Sequence, residues 1–180
     1  MGTKLHLGCG TRKIPGFINV DCRSEVEPDI RADFFHLDRE RFQPGTASLI
    51  YCSHALEHVS RRDALAALWT WRNLLEKGGI LRLSVPDLNE CFIAYLQYND
   101  LRVIQNLLYG KQEHEWDFHK TGWDRKSLER DLYTAGFSLV RWWDWRNTEH
   151  ASFDDHSQAY LPHMDKENGR LMSLNLEAVK

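Results

Sequence analysis

The chain has no apolar run of transmembrane length, which excludes a helical membrane span. It also has little excess charge. Against 26 acidic side chains stand 23 basic ones, a net charge of −3 at neutral pH. That balance lacks the electrostatic footprint of a nucleic-acid binder. The four cysteines, Cys9, Cys22, Cys52 and Cys91, form no Cys-x-x-Cys pair. They read as reduced intracellular thiols, with Cys9 and Cys52 expected to be buried on or beside strands. No repeat, low-complexity tract or linker divides the chain, and 180 residues suit one domain, 1–180, with a sizeable core. The N-terminus enters an apolar strand at once, without the pattern of a signal peptide, so a cytoplasmic location is expected.

What is present alternates. Strands are expected near 4–7, 17–21, 29–34, 48–53, 79–85, 137–143 and 171–179, which argues for a parallel sheet covered by helices. A helix is expected over 60–76. Ser60 and Asp63 suit a capping box, Ala64, Leu68, Trp71 and Leu75 recur on one face, and Gly78-Gly79 ends it. A second helix fits 125–135, with Leu128, Leu132 and Ala135 on one face, and 87–109 also reads as helical. Residues 111–123 have no clean period and read as a loop over the sheet. Trp142, Trp143 and Trp145 cannot all face one side of a strand, so at least one belongs to the core.

The opening segment carries the most chemistry. Leu5-His6-Leu7 is a short buried strand, Gly8-Cys9-Gly10 a glycine turn, and Asp21 ends the next apolar run. Glycines at such a turn let the backbone approach a ligand closely. An acidic side chain at the end of the following strand can accept both hydroxyls of a ribose. The pairing points to a nucleoside-containing cofactor. A dinucleotide is disfavoured, because its fingerprint needs a third glycine where Lys13 stands.

Further landmarks follow in order: Ala32-Asp33-Phe34, then Ser48-Leu49-Ile50-Tyr51-Cys52-Ser53-His54-Ala55-Leu56-Glu57-His58-Val59, then Gly78-Gly79-Ile80-Leu81-Arg82-Leu83-Ser84-Val85-Pro86. With Leu5–Gly10 and Asp21 they cover about half the chain, and the series resembles the class I S-adenosylmethionine-dependent methyltransferases. The resemblance implies a Rossmann-like, mostly parallel sheet with an antiparallel last strand, in the order 3-2-1-4-5-7-6. It implies S-adenosyl-L-methionine as cofactor. One departure stands out: Asp21 follows Gly10 by 11 positions (21 − 10), against about 20 in the usual unit. Either the first helix is deleted or Asp21 is not the ribose ligand. Deletion is the preferred reading, because Phe17-Ile18-Asn19-Val20 still reads as a strand. Arg12 or Lys13 would then serve as counter-ion at the cofactor's amino-acid end.

Ligands of open α/β sheets sit outside the carboxyl ends of the strands. On that rule Gly8, Cys9 and Gly10 run under the methionine and ribose portions, and Asp21 takes the ribose. Asp33 accepts from the adenine amine, and Phe34 covers a face or offers its backbone amide. Ser53 and His54 lie near the sulfonium and its methyl group. His54 is the candidate catalytic base, since a hydroxyl acceptor must lose a proton and an imidazole titrates near neutrality. His114, His119, Asp154, Asp155 and His156 come from loops that can reach the same rim. Trp116 and Trp123 are candidates for an acceptor platform.

Out of context, His54-Ala55-Leu56-Glu57-His58 is also a His-x-x-Glu-His motif, which on a helix can bind zinc. Here it straddles a strand end and a turn, so no metal is expected, and His58 reads as a packed, hydrogen-bonded histidine. The functional expectation is methyl transfer to a small-molecule or glycan-type acceptor, O- or N-directed. The alternatives are a non-catalytic nucleotide or S-adenosylmethionine-binding module and, third, a metallohydrolase. The short Gly8-to-Asp21 interval and the Ser53–His58 segment also resemble a group of small predicted methyltransferases, some of them associated with surface-glycan assembly. The sequence sets no oligomeric state.

Overall fold

The computed structural model describes residues 2–35, 37 and 40–180. Five strands come first in sequence around one long helix: β1 (Thr3–Leu7), β2 (Ile18–Asp21), β3 (Ile30–Arg31), β4 (Ala47–Ser53), α1 (Ala64–Leu74) and β5 (Leu75–Pro86). Then come α2 (Leu88–Tyr98), α3 (Gln105–Tyr109), α4 (Arg125–Thr134) and β6 (Leu139–Trp142). The chain closes with β7 (Tyr160–Leu161), β8 (Arg170–Leu171) and β9 (Ser173–Val179). Among the described residues seven strands form one sheet in the order β3-β2-β1-β4-β5-β9-β6. β1 to β5 pair in parallel, and β9 lies antiparallel between β5 and β6. The central strands read as near-continuous apolar runs because both faces are covered, and Leu7, Ile50, Leu81 and Leu83 are fully buried.

The first crossover contains no helix. The N–H groups of Gly8 and Cys9 both donate to the Val20 carbonyl, at 2.8 and 3.1 Å, which folds the turn directly onto β2. The Asn19 side chain then replaces the missing helical hydrogen bonds. Its Oδ1 accepts from the Ile14 N–H at 2.9 Å, and its Nδ2 donates to the carbonyls of Ile14 and Phe17. Ile14 and Phe17 pack with Leu49, Tyr51 and Trp143 in a second core cluster, so side chains of the loop bury apolar surface that a helix would otherwise cover.

Three expectations need correction. Helix α1 begins at Ala64, and Asp63 makes no side-chain cap; the Ser60 hydroxyl donates to the Asp63 carboxylate at 2.6 Å instead of forming a capping box. The true box lies at α4, where Asp124 and Ser127 satisfy each other's backbone N–H groups. The 87–109 segment is broken: Asn99 adopts φ 50°, ends α2, and Asp100 caps a separate turn. Residues 170–171 pair with β7 in a small hairpin, and β9 starts only at Ser173. As anticipated, the late tryptophans divide: Trp143 is buried and Trp142 exposed. Cys9 and Cys52 are buried, and Cys22 and Cys91 are also free thiols. No helix among the described residues is long and apolar enough to cross a membrane.

His6 lies buried on β1, and its Nδ1–H donates to Asn19 Oδ1 at 3.1 Å. Burial pulls its pKa down to about 4, outweighing the bond to Asn19 and the nearby Asp155. The unfolded chain therefore takes up this proton first as pH falls through 6.5, and stability is lost progressively toward pH 4. Urea unfolding at pH 7 and pH 4.5 should show His6→Gln losing about 2–3 kcal/mol less than wild type over that interval. Equal losses in both proteins would contradict this.

Candidate active site

The strand ends converge on one cleft of about 730 Å³. It is bordered by Gly8, Cys9, Gly10, Asp21, Asp33, Phe34, Ser53 and His54, the cofactor and base candidates singled out from the sequence, while the rim candidate Asp154 does not border it. Gly8 adopts φ 66°, and a Cβ there would stand 2.5 Å from the Ala55 Cβ. Gly10 adopts φ 52°. Gly8 therefore has no room for a side chain, Gly10 takes a left-handed conformation that glycine adopts without strain, and both keep the cleft floor free of side chains. Cys9 contributes backbone rather than chemistry: burial pushes its thiol up to about 12, and Sγ faces the Gly10 carbonyl.

Asp21 is 4% exposed. Its Oδ2 accepts from the Gly10 N–H at 2.8 Å, and its Oδ1 accepts from the Arg23 N–H at 3.0 Å. The carboxylate thus locks the glycine turn to the end of β2. With about four lone-pair positions it retains capacity for further donors. Asp33 Oδ1 accepts from the Phe35 N–H at 2.9 Å. The Phe34 ring is mostly in the core, under Gly8 and against Phe35 and Trp71, and its carbonyl accepts from Trp71 Nε1 at 2.8 Å. Phe35 borders the cleft beside it, an aromatic that the sequence reading did not single out. Of the two candidate counter-ions, Lys13 is tied to the Glu27 carbonyl, whereas Arg12 borders the cleft.

At the end of β4 the chain turns sharply. His54 adopts φ 48°, a left-handed conformation uncommon for a residue with a Cβ, while its N–H still donates to the Ser84 carbonyl. Its side chain is 7% exposed and sits on the cleft wall. Ser173 Oγ donates to the His156 carbonyl and lies 2.9 Å from His54 Nε2, so Nε2 carries the hydrogen. Nδ1 lies 3.4 Å from Glu57 Oε1. Burial, then the neighbouring His156, His119 and His58, hold the imidazole well below its usual pKa. Both ring nitrogens face protein atoms, a more enclosed setting than the sequence suggested. The Ser53 hydroxyl beside it has no hydrogen-bond partner among the described residues.

The 111–123 loop crosses the cleft side of the sheet. Lys120 and Thr121 donate to the Glu57 carbonyl at 2.8 and 3.2 Å, and Arg23 Nη1 donates to His114 Nε2 at 3.1 Å. His114, Trp116 and His119 border the cleft, with Trp116 46% exposed. Trp123 does not join them. It is 2% exposed, packs in the main core, and donates through Nε1 to Asp131 at 3.0 Å. Its backbone carbonyl accepts from Leu88 at the start of α2, which draws the ring inward and removes it as an acceptor platform. Asp155 and His156 reach the cleft, and Asp155 accepts from the Tyr51 hydroxyl.

The seven-stranded order with one antiparallel strand, and the glycine turn at the sheet's carboxyl edge, define the Rossmann-like fold of S-adenosylmethionine-dependent methyltransferases. A SAM-dependent methyltransferase from Archaeoglobus fulgidus aligns over 99% of this chain and 86% of its own, with TM-score 0.61 and 14% identity. A possible histamine N-methyltransferase from Thermotoga maritima aligns over 100% and 83%, with TM-score 0.60 and 14% identity. An S-adenosylmethionine-dependent methyltransferase from Mesorhizobium loti aligns over 99% and 91%, with TM-score 0.58 and 17% identity. No family profile and no curated protein sequence matches the chain.

Proposed function

We propose that the protein is an S-adenosylmethionine-dependent methyltransferase acting on a small-molecule or glycan-type acceptor, through oxygen or nitrogen. The observation that carries this reading is the single cleft in which Gly8, Gly10, Asp21, Asp33, Ser53 and His54 meet at the carboxyl ends of their strands. The methyltransferase fold of the similar structures supports the same cofactor, and the small acceptor named for the Thermotoga maritima protein fits a cleft of this size.

The residues suit S-adenosyl-L-methionine. The bare backbone of Gly8 and Gly10 accepts close approach, Asp21 can take the ribose hydroxyls, and Asp33 can take the adenine amine. Arg12 is placed to meet a carboxylate. Bound there, the cofactor supplies an electrophilic methyl group on a sulfonium. The protein's own task is then to hold an acceptor in line, exclude water and remove a proton. His54 is our candidate for the proton acceptor, because it stands next to Ser53 at the end of β4; its lone pair is on Nδ1, which faces Glu57, so the role requires the ring to turn toward the acceptor. The loop bearing His114, Trp116 and His119 forms the acceptor rim. The test is a screen for transfer of labelled methyl from S-adenosylmethionine to candidate sugars and small metabolites. Transfer to one of them is expected, and cofactor binding with no transfer to any would favour a non-catalytic binding module. Trp116→Ala should raise KM for that acceptor several-fold and leave cofactor affinity within about twofold, since the ring sits on the rim; a change confined to cofactor binding would contradict its role.

A further inference from the structure

We propose that Glu57, His58 and His119 form a site for one divalent first-row transition cation of zinc-like ligand preference, set in the wall of the cleft. The ligand atoms of these three side chains lie within 4.8 Å of one another. Glu57 and His58 come from the 3-10 turn after β4, and His119 comes from the loop that crosses the cleft. Lys120 and Thr121 hang that loop on the Glu57 carbonyl, and the Thr121 hydroxyl donates to the Val59 carbonyl at 2.8 Å, which brings the three together.

Two features mark the cluster as more than a packed polar corner. Glu57 is 0% exposed, yet neither carboxyl oxygen has a hydrogen-bond partner among the described residues. Two imidazole nitrogens stand within 4.0 Å of it, His54 Nδ1 at 3.4 Å and His119 Nε2 at 3.9 Å. Burying a carboxyl without partners is costly, and native structures rarely tolerate it without a compensating group. The second feature is the state of the histidines. His58 Nδ1 lies 3.2 Å from the Phe118 carbonyl, and His119 Nδ1 lies 2.9 Å from the Leu107 carbonyl. A carbonyl only accepts, so each Nδ1 carries the hydrogen and each Nε2 keeps a lone pair. Backbone carbonyls fixing the far nitrogen are the usual support for histidines that ligate a metal.

Two imidazoles and one carboxylate suit a borderline cation such as Zn²⁺. Ligand atoms around a tetrahedral zinc stand about 3.3 Å apart, given metal–nitrogen bonds of about 2.0–2.1 Å, so the widest separations in the cluster need to close by up to about 1.5 Å. Three protein ligands leave a position open, and His58 and His119 both border the cleft, so that position faces the space where an acceptor enters. The set differs from the His54 and His58 pair of the linear motif, because His54 Nε2 is bound to Ser173 and the loop histidine takes its place. On the methyltransferase reading, on which its role though not its existence rests, the cation would hold an acceptor oxygen or nitrogen and lower its pKa.

The experiment uses the full chain, stripped with a chelator and dialysed, then titrated calorimetrically with zinc chloride, with zinc per chain measured after gel filtration. About one zinc per chain is expected. Glu57→Gln and His119→Ala should each weaken binding by about 100-fold or more, with circular dichroism unchanged, while His163→Ala at an exposed site should bind like wild type. Zinc should also raise Tm in wild type but not in Glu57→Gln. Absence of stoichiometric zinc in wild type, or retention of wild-type affinity in both folded variants, overturns the site. The same stripped protein is titrated with S-adenosylhomocysteine. Binding of that ligand without zinc defeats the cation site alone, and zinc without that ligand defeats the methyltransferase reading alone.

Discussion

Asp21→Ala is expected to weaken S-adenosylhomocysteine binding by about 2–4 kcal/mol, roughly 30- to 1,000-fold in Kd. On the proposed reading the carboxylate accepts the ribose hydroxyls, and charge-assisted bonds in a sheltered cleft are the stronger kind. The same side chain holds the Gly10 N–H at 2.8 Å and the Arg23 N–H at 3.0 Å. Its removal therefore also loosens the glycine turn on which the ligand rests. Asp33→Ala should cost less, because on the same reading adenine keeps Phe35 and backbone groups beside it. Calorimetry on both variants, with circular dichroism as a control for folding, reads the difference. A folded Asp21→Ala protein that binds like wild type would mean that the helix-less first crossover has moved the ribose ligand elsewhere.

His54 substitution is expected to separate turnover from binding. The residue adopts φ 48°, so alanine would add backbone strain to the loss of the ring; asparagine tolerates that conformation and is the better probe. His54→Asn should slow kcat by about 10²–10⁴-fold if the imidazole takes the acceptor's proton. Cofactor affinity should stay within about twofold, since no assigned cofactor contact uses the ring. Single-turnover methyl transfer with the acceptor found in the screen is the measurement. Wild-type kcat in a folded His54→Asn protein would place the base elsewhere and reduce His54 to a support for Ser173 and Glu57.

The sequence read well where one local signal decides the outcome. Strands β1, β4 and β5 are apolar runs bounded by turn residues, and their existence follows from hydrophobicity alone, whereas their order in the sheet was implied by the family resemblance. The missing first helix was legible because 11 positions cannot hold both a turn and a helix before Asp21. The cleft residues were legible because strand ends are where α/β sheets bind. Features set by distant partners were not. Trp123 and Trp116 occupy the same aperiodic loop, and only the Leu88 and Asp131 contacts send one ring into the core. The Asn19 side chain looks like an ordinary strand residue until Ile14 and Phe17 fold over it. Strands of two residues, β7 and β8, are too short for any periodicity to register. One signal was present and missed: Asn99-Asp100 joins a left-handed helix end to a new cap, and so marks the break in 87–109.

The most direct test of the central claim is calorimetric titration of the purified chain with S-adenosylmethionine, S-adenosylhomocysteine and NAD in parallel. The cleft geometry predicts saturable one-to-one binding of both methionine-derived ligands and none of NAD, because Lys13 stands where a dinucleotide turn needs glycine. Clear NAD binding with no heat from either S-adenosyl ligand would contradict the account.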